Sequence, residues 1–272
     1  MKKGKDHILK SKKIEARKRQ KRIRIGVYLF ALVLIILVVP PLFVRIPFFS
    51  IKHINVEGTK TVDPTTVSEL STQYLNGSFL KFFPRATFLT AGKSKLKETI
   101  LKTFPLIYDA KLSFHTPNTL LIEIQEREPF VLWCSGQDYK KCFFADKSAF
   151  LYDIAPEFSS PVYTVYRGGS DTDNPIGQKI TDDNIFKRLN DLEKEFSILG
   201  LKTKEVVFQP NEDIYFNLSH GSLYVSLRED DKLTLNNLTS LLSNPKTDLS
   251  DGLGGIKNSY IDLRFGNKIF YK

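Results

Sequence analysis

The longest unbroken hydrophobic pattern lies near the amino end. Ile25 to Val44 reads IGVYLFALVLIILVVPPLFV and carries no charge. Its 20 residues, at about 1.5 Å each, span about 30 Å, the thickness of a bilayer hydrocarbon core. Leu, Ile, Val and Phe each favour insertion by about 0.3–0.6 kcal/mol, so the sum reaches several kcal/mol. Pro40-Pro41 would be costly in mid-helix but stand near the far end, where a helix can stop. The pattern predicts one transmembrane helix over residues 25–45. A cleaved signal peptide is the rival reading. The stretch exceeds the roughly 7–15 apolar residues of such peptides, and no A-x-A-like site follows it.

Beyond Pro47 the period shortens. Phe49–Glu57 alternates as a strand, with Ile51, Ile54 and Val56 apolar and Gly58 as its end. Asp63 can cap a helix, Pro64 suits its first position, and Val67, Leu70 and Tyr74 fall at helical spacing. Residues 76–92 read as a loop, marked by Asn76-Gly77 and Pro84. Lys93–Thr103 is a second amphipathic helix. Ile107–Phe114 and Thr119–Glu126 are strands joined by a turn at His115-Thr116-Pro117-Asn118. A unit ordered strand, helix, helix, strand, strand forms one small sheet with its helices on one face. Glu126-Arg127-Glu128-Pro129 then punctuates the chain.

The second region reads as mostly β, without internal repeats. Strands are expected at Phe130–Cys134, Lys141–Ala145, Ala149–Tyr152, Val162–Tyr166, Glu205–Gln209, Ile214–Leu218, Leu223–Leu227, Tyr260–Phe265 and Lys268–Tyr271. Asp182/Asp183 cap a helix ending at Leu199-Gly200, and Leu233–Leu242 is another. The fold class is α+β: a transmembrane helix, a small βααββ domain over 48–127, and a mostly antiparallel β domain with helices on one face over 128–272.

Charge changes the picture. A net charge of +10 over 272 residues suggests nucleic acid until its distribution is seen. Met1–Arg24 holds 12 Lys/Arg against two acids, the entire surplus, and the remainder carries 28 of each sign. The basicity belongs to a tail, not to a fold. Crowded on one flank of the apolar span, it places residues 1–24 in the cytoplasm, near anionic lipid, and everything after Arg45 outside. No nucleic acid and no small-molecule substrate is expected.

Three stretches carry a resemblance. FSIKHINVEG (Phe49–Gly58), FPLIYDAKLSFHTPNTLLIEIQEREP (Phe104–Pro129) and YIDLRFGNKIFYK (Tyr260–Lys272) resemble the FtsQ/DivIB bacterial division proteins, in order and over nearly the whole length. The first two are similar to the start and end of a POTRA domain, the polypeptide-transport-associated fold, including its x-P-N/D-T-L turn and ER-x-P ending. FFADKSAFLYD (Phe143–Asp153) is similar to the element that follows, with Ala149 where glycine is usual. The resemblance implies a non-enzymatic, single-pass subunit of the division machinery. It would sit at the septum, with its amino end cytoplasmic. Its partners would be small coiled-coil membrane proteins of the FtsB/FtsL type, and it would couple ring assembly to septal wall synthesis. Rival readings are a POTRA-containing secretion or assembly factor and a membrane-anchored wall hydrolase.

A terminal strand at a sheet edge suits such a role, because its unpaired N–H and C=O groups can accept a partner strand. Tyr260, Asp262 and Arg264 alternate onto one face, and Ile261, Leu263 and Phe265 onto the other, toward the core. The expected contacts are Tyr260, Asp262, Arg264, Lys268, Ile269 and Phe270. The alternative is that Asp262 and Arg264 only maintain the sheet.

Candidate chemistry is sparse. Cys134 and Cys142 stand on the two arms of one expected hairpin. Outside the cytoplasm they can form a disulfide contributing about 2–3 kcal/mol, or remain two buried thiols. His7, His53, His115 and His220 are scattered, without ligand spacing, so no metal or other cofactor is expected. There is no G-x-S-x-G, no H-E-x-x-H and no phosphate-binding glycine loop, so no catalytic residue is assigned and the chain is not read as an enzyme. Asp182-Asp183 and Asp230-Asp231 read as helix caps rather than paired acids.

Overall fold

The computed structural model describes residues 18–36, 39, 48, 50–79, 83–84, 86–116, 118–135, 141–158, 162–169 and 174–272. Residues 18–36 form helix α1. Its large apolar side chains from Ile23 onward are exposed. Among the described residues no helix is long and apolar enough to cross a membrane. Part of the span expected over Ile25–Val44, and most of the basic tail, lie outside the described residues.

The chain divides into two compact units, the first comprising 1–100 and 110–124, the second 101–109 and 125–272. The first contains strand β1 (His53–Glu57), helix α2 (Pro64–Leu75), a short hairpin of β2 (Ser78–Phe79) and β3 (Phe83–Pro84), and most of helix α3 (Lys93–Thr103). Strands β4 (Ile107–Thr116) and β5 (Thr119–Glu126) complete a three-stranded sheet in the order β1-β5-β4. Strand β1 runs parallel to β5, with Ile54 beside Leu120 and Val56 beside Ile122. The unit buries Leu120 and Ile122 from the sheet, Val67 and Leu75 from α2, and Leu96 and Ile100 from α3. The first helix starts as its sequence dictates: the Asp63 carboxylate accepts the Thr65 N–H at 2.9 Å, and Pro64 fills the first turn. Gly58, at φ +84°, lies so close to β5 that a Cβ would sit 2.3 Å from the Ile124 carbonyl oxygen. Only glycine fits there. The expected loop over 76–92 departs from its reading, because it contains the β2–β3 hairpin.

The second unit is built on one nine-stranded sheet. Its strands are β6 (Val131–Ser135), β7 (Lys141–Ala145), β8 (Leu151–Ile154), β9 (Val165–Arg167), β10 (Thr203–Phe208), β11 (Asp213–Leu218), β12 (Ser222–Ser226), β13 (Tyr260–Phe265) and β14 (Lys268–Tyr271). They lie in the order β14-β13-β12-β11-β10-β9-β6-β7-β8. Antiparallel pairs predominate, but β6–β9, β9–β10 and β12–β13 are parallel. Parallel neighbours require a crossover. Helix α4 (Asp183–Ile198) supplies one between β9 and β10, and α5 (Asp231–Leu242) another between β12 and β13.

Both helices share one core with one face of the sheet. Phe186, Leu189, Leu192 and Phe196 of α4 and Leu238 of α5 meet Val206, Phe216, Leu223, Ile261 and Leu263. The helices are also tied to each other. Arg188 of α4 grips the Asp231 carboxylate with Nε and Nη2 at 2.7–2.9 Å and donates to the carbonyls of Leu227 and Glu229. Asp182 and Asp230 cap the two helices by accepting the N–H groups of Asn184 and Leu233.

The opposite face of β6 and β7 carries a smaller cluster. Leu132, Cys134 and Ala155 are buried there with Cys142, Phe144, Tyr163 and Val165 packed around them. Cys134 and Cys142 lie directly across the β6–β7 ladder and are joined in a disulfide. Trp133 points into the main core, its indole N–H on the Gly168 carbonyl at 2.9 Å.

Candidate partner-binding edge

A nine-stranded sheet has two edges, and this chain treats them differently. At β8 the outer side is occupied by the chain itself. The Leu151 N–H donates to the Gln178 carbonyl at 2.8 Å, and the Gly177 N–H donates back to Leu151 at 2.7 Å. At the other end, β14 has β13 as its single neighbour among the described residues. Lys272 and Tyr260 exchange both backbone bonds, so the adjacent Ile261–Tyr271 pair is a non-bonded one. The alternation of an antiparallel ladder then turns the N–H and C=O of Tyr271 outward.

The hairpin that presents this edge is held firmly. Ile261 and Leu263 are fully buried, and Ile269 packs on the same core. The Gly266 carbonyl at the turn accepts the Asn237 amide of α5 at 2.7 Å. The expected contact residues divide into two groups. Asp262 is buried and Arg264 largely so. Arg264 holds Asp262 through a two-pronged pair at 2.8 and 2.6 Å and reaches Asp213 of β11 at 2.8 Å. Its guanidinium also lies 5.5 Å from the Tyr224 ring centre. These charges are neutralised within the sheet, raising the Arg264 pKa chiefly through the Asp262 hydrogen bond. Tyr260 ends a ladder of tyrosines, 5.2 Å from Tyr224, itself 4.0 Å from Tyr215. Burial raises the Tyr224 phenol pKa, with Tyr215, Tyr260 and Asp262 adding to the effect and Arg264 opposing it.

Lys268 and Phe270 form the second group and face solvent. Phe265 corrects the expectation that it points into the core: it is 54% exposed. A register shift between Asp262 and Phe265 breaks the alternation and turns the ring out. There it meets Phe270 edge-on at 5.6 Å. Tyr271, 47% exposed, follows Phe270 in the strand and projects to its other side. Strand alternation concealed Phe265. The turn at Gly266-Asn267, where strand geometry ends, was the available signal.

Three-stranded sheet, two helices and appended β domain define a POTRA-bearing protein. The model of the "POTRA domain, FtsQ-type" family matches residues 49–127. A Clostridium botulinum protein named cell division protein DivIB is 25% identical over 98% of both chains. A second DivIB, from Clostridium acetobutylicum, is 26% identical over 83% of this chain and 84% of its own. Over nearly its whole length the chain is therefore similar to cell-division proteins named DivIB, and its residues 49–127 match the FtsQ-type POTRA family.

Proposed function

We propose that this protein is a bitopic membrane scaffold of the bacterial division machinery. On this reading residues 25–44 cross the membrane, the basic tail stays in the cytoplasm, and both folded units stand outside. The β14 edge takes up an extended segment of a small coiled-coil membrane partner of the FtsB/FtsL type. Through that contact the protein couples ring assembly to septal wall synthesis, without catalysing a reaction itself. The observation that carries the reading is the asymmetry of the large sheet: β8 is closed by residues 177–180, whereas among the described residues nothing pairs with the outer side of β14, beside Phe265, Phe270 and Tyr271. Open edges are ordinarily blunted, so one kept open and rimmed with aromatics suits strand addition.

The test is capture of such partners by the full chain from membranes of dividing cells. Breaking Tyr260–Phe265 would be uninformative, because Ile261 and Leu263 are core residues. Tyr271→Pro is the discriminating variant. It removes an outward donor and spares the bond to β13, as an edge strand tolerates. The expected result is loss of capture with the melting temperature retained. Undiminished capture by Tyr271→Pro together with Phe270→Glu would refute the edge reading.

A further inference from the structure

The first folded unit displays an exposed apolar tip close to where the expected span ends. Residues 87–90 form a turn that is tightly constructed. The N–H groups of Thr90 and Ala91 donate to the Thr87 carbonyl at 3.1 and 2.8 Å, and the Thr87 and Thr90 hydroxyls are 2.6 Å apart. Thr87 and Ala91 are buried, and Phe88 turns inward onto Phe114, edge-on at 6.1 Å. Leu89, at the tip, is left 55% exposed. A leucine shown to solvent on so fixed a turn is not a fraying loop.

The position of the turn indicates what covers it. Thr87 bridges to Ser50, and the Ile51 N–H donates to the Ala86 carbonyl at 2.8 Å. Phe48, two residues before the bridge, is 66% exposed. It follows Val44 by four residues, so the chain cannot carry it more than about 14 Å from the end of the span. The sequence between is Arg45-Ile46-Pro47, and Phe49 comes next. One base, two apolar residues and an aromatic one thus flank Phe48 in sequence. From Gly77 to Lys97 there are five bases and no acid, which favours an anionic lipid surface.

We propose that Leu89 and Phe48 form a second, interfacial membrane contact that seats the first unit on the lipid headgroups beside the span. The proposal rests on the reading that residues 25–44 cross the membrane, and its test separates the two. The full chain is reconstituted in phosphatidylglycerol–phosphatidylethanolamine vesicles whose acyl chains carry bromine just below the headgroups. Tryptophan is placed singly by Leu89→Trp, by Leu34→Trp within the span and by Leu253→Trp on an exposed loop of the second unit. The sole native tryptophan, Trp133, is buried and serves as the internal reference. The expected result is that Leu89→Trp loses most of its added emission to bromine and is shielded from aqueous iodide, whereas Leu253→Trp shows the reverse. If Leu34→Trp is quenched by bromine and Leu89→Trp only by iodide, the span stands and the interfacial contact is wrong. If neither is quenched by bromine, both readings fail.

Discussion

Single residues carry much of what the family pattern means physically. Arg127, in the Glu126-Arg127-Glu128-Pro129 run, donates from Nε to the Pro105 carbonyl at 2.9 Å, pairs with Asp146 and lies 3.9 Å over the Phe150 ring. Asp146 in turn accepts the N–H groups of Ser148 and Phe150. It thereby shapes a turn in which Ala149 takes φ +61°, the left-handed conformation that explains why glycine is usual there. Removing one partner of a buried pair leaves the other uncompensated, so Arg127→Met should cost about 3–5 kcal/mol in denaturant unfolding. A double-mutant cycle with Asp146→Asn should show strong coupling, and additive losses would disprove the pairing. Such a role was not legible in the sequence. The motif is local, but the groups that Arg127 holds lie about twenty residues away on either side. Helix caps behave differently: Asp63, Asp182 and Asp230 act on N–H groups two or three residues on, so the sequence displays them directly. Glu193 shows the same contrast between local pattern and distant partners. It is half-buried on α4, accepts the Tyr166 hydroxyl at 2.5 Å and also meets Thr164. Burial raises its pKa, outweighing those hydrogen bonds. A folded pKa above the unfolded one means that the neutral form is favoured in the fold. That contribution is complete below the unfolded pKa and is lost as pH rises through the folded value. Glu193→Gln keeps an acceptor for Tyr166 without the charge. Its stability relative to the parent should therefore grow as pH rises above the ordinary carboxylate range in thermal melts, and a pH-independent difference would contradict this account.

At the scale of elements, the hydrophobic pattern disclosed nearly every strand and helix but not how the strands pair. Periodicity marks which residues turn inward and says little about neighbours brought together by a crossover. The parallel pairs β9–β10 and β12–β13 follow from α4 and α5 lying between them in sequence, a relation visible only once both strands are known to be adjacent. Arg188, which locks α4 to the start of α5, was hidden for the same reason: its partners are about forty residues downstream. The hairpin of β6 and β7 was local and therefore legible, including the facing positions of its cysteines. In the structure Cys134 is buried and linked to Cys142 across eight residues of chain. Closing so short a loop restricts the unfolded chain by about 2.5 kcal/mol. The double variant Cys134→Ala/Cys142→Ala should lose about that much stability on the same entropic ground. Chemical unfolding with and without reductant would measure it. A parent unaffected by reductant after unfolding and refolding would rule the cross-link out as a source of stability.

The whole molecule is governed by where its charge lies. The surplus of +10 is confined to the first 24 residues, and the rest balances 28 against 28. Orientation in a membrane depends on Lys and Arg close to the span, not on net charge over long domains. The described part of that flank, residues 18–36, is a helix whose basic residues pass directly into exposed apolar ones. Burying a Leu, Ile, Val or Phe side chain is worth about 1.5–3 kcal/mol, so the exposed side chains of this helix favour an apolar surround. On the proposed reading the basic tail sets direction, and the apolar stretch supplies the driving force. Protease added to intact spheroplasts should digest both folded units and spare only a small amino-terminal fragment. Replacing the 12 tail bases by Ser and Gln while adding several lysines directly after Val44 should reverse that pattern in a substantial share of molecules, since the charge bias then points the other way. The carboxyl-terminal units would become protected. Protection of those units in the parent chain would overturn the assignment, and with it the exposure of the β14 edge to any partner outside the membrane.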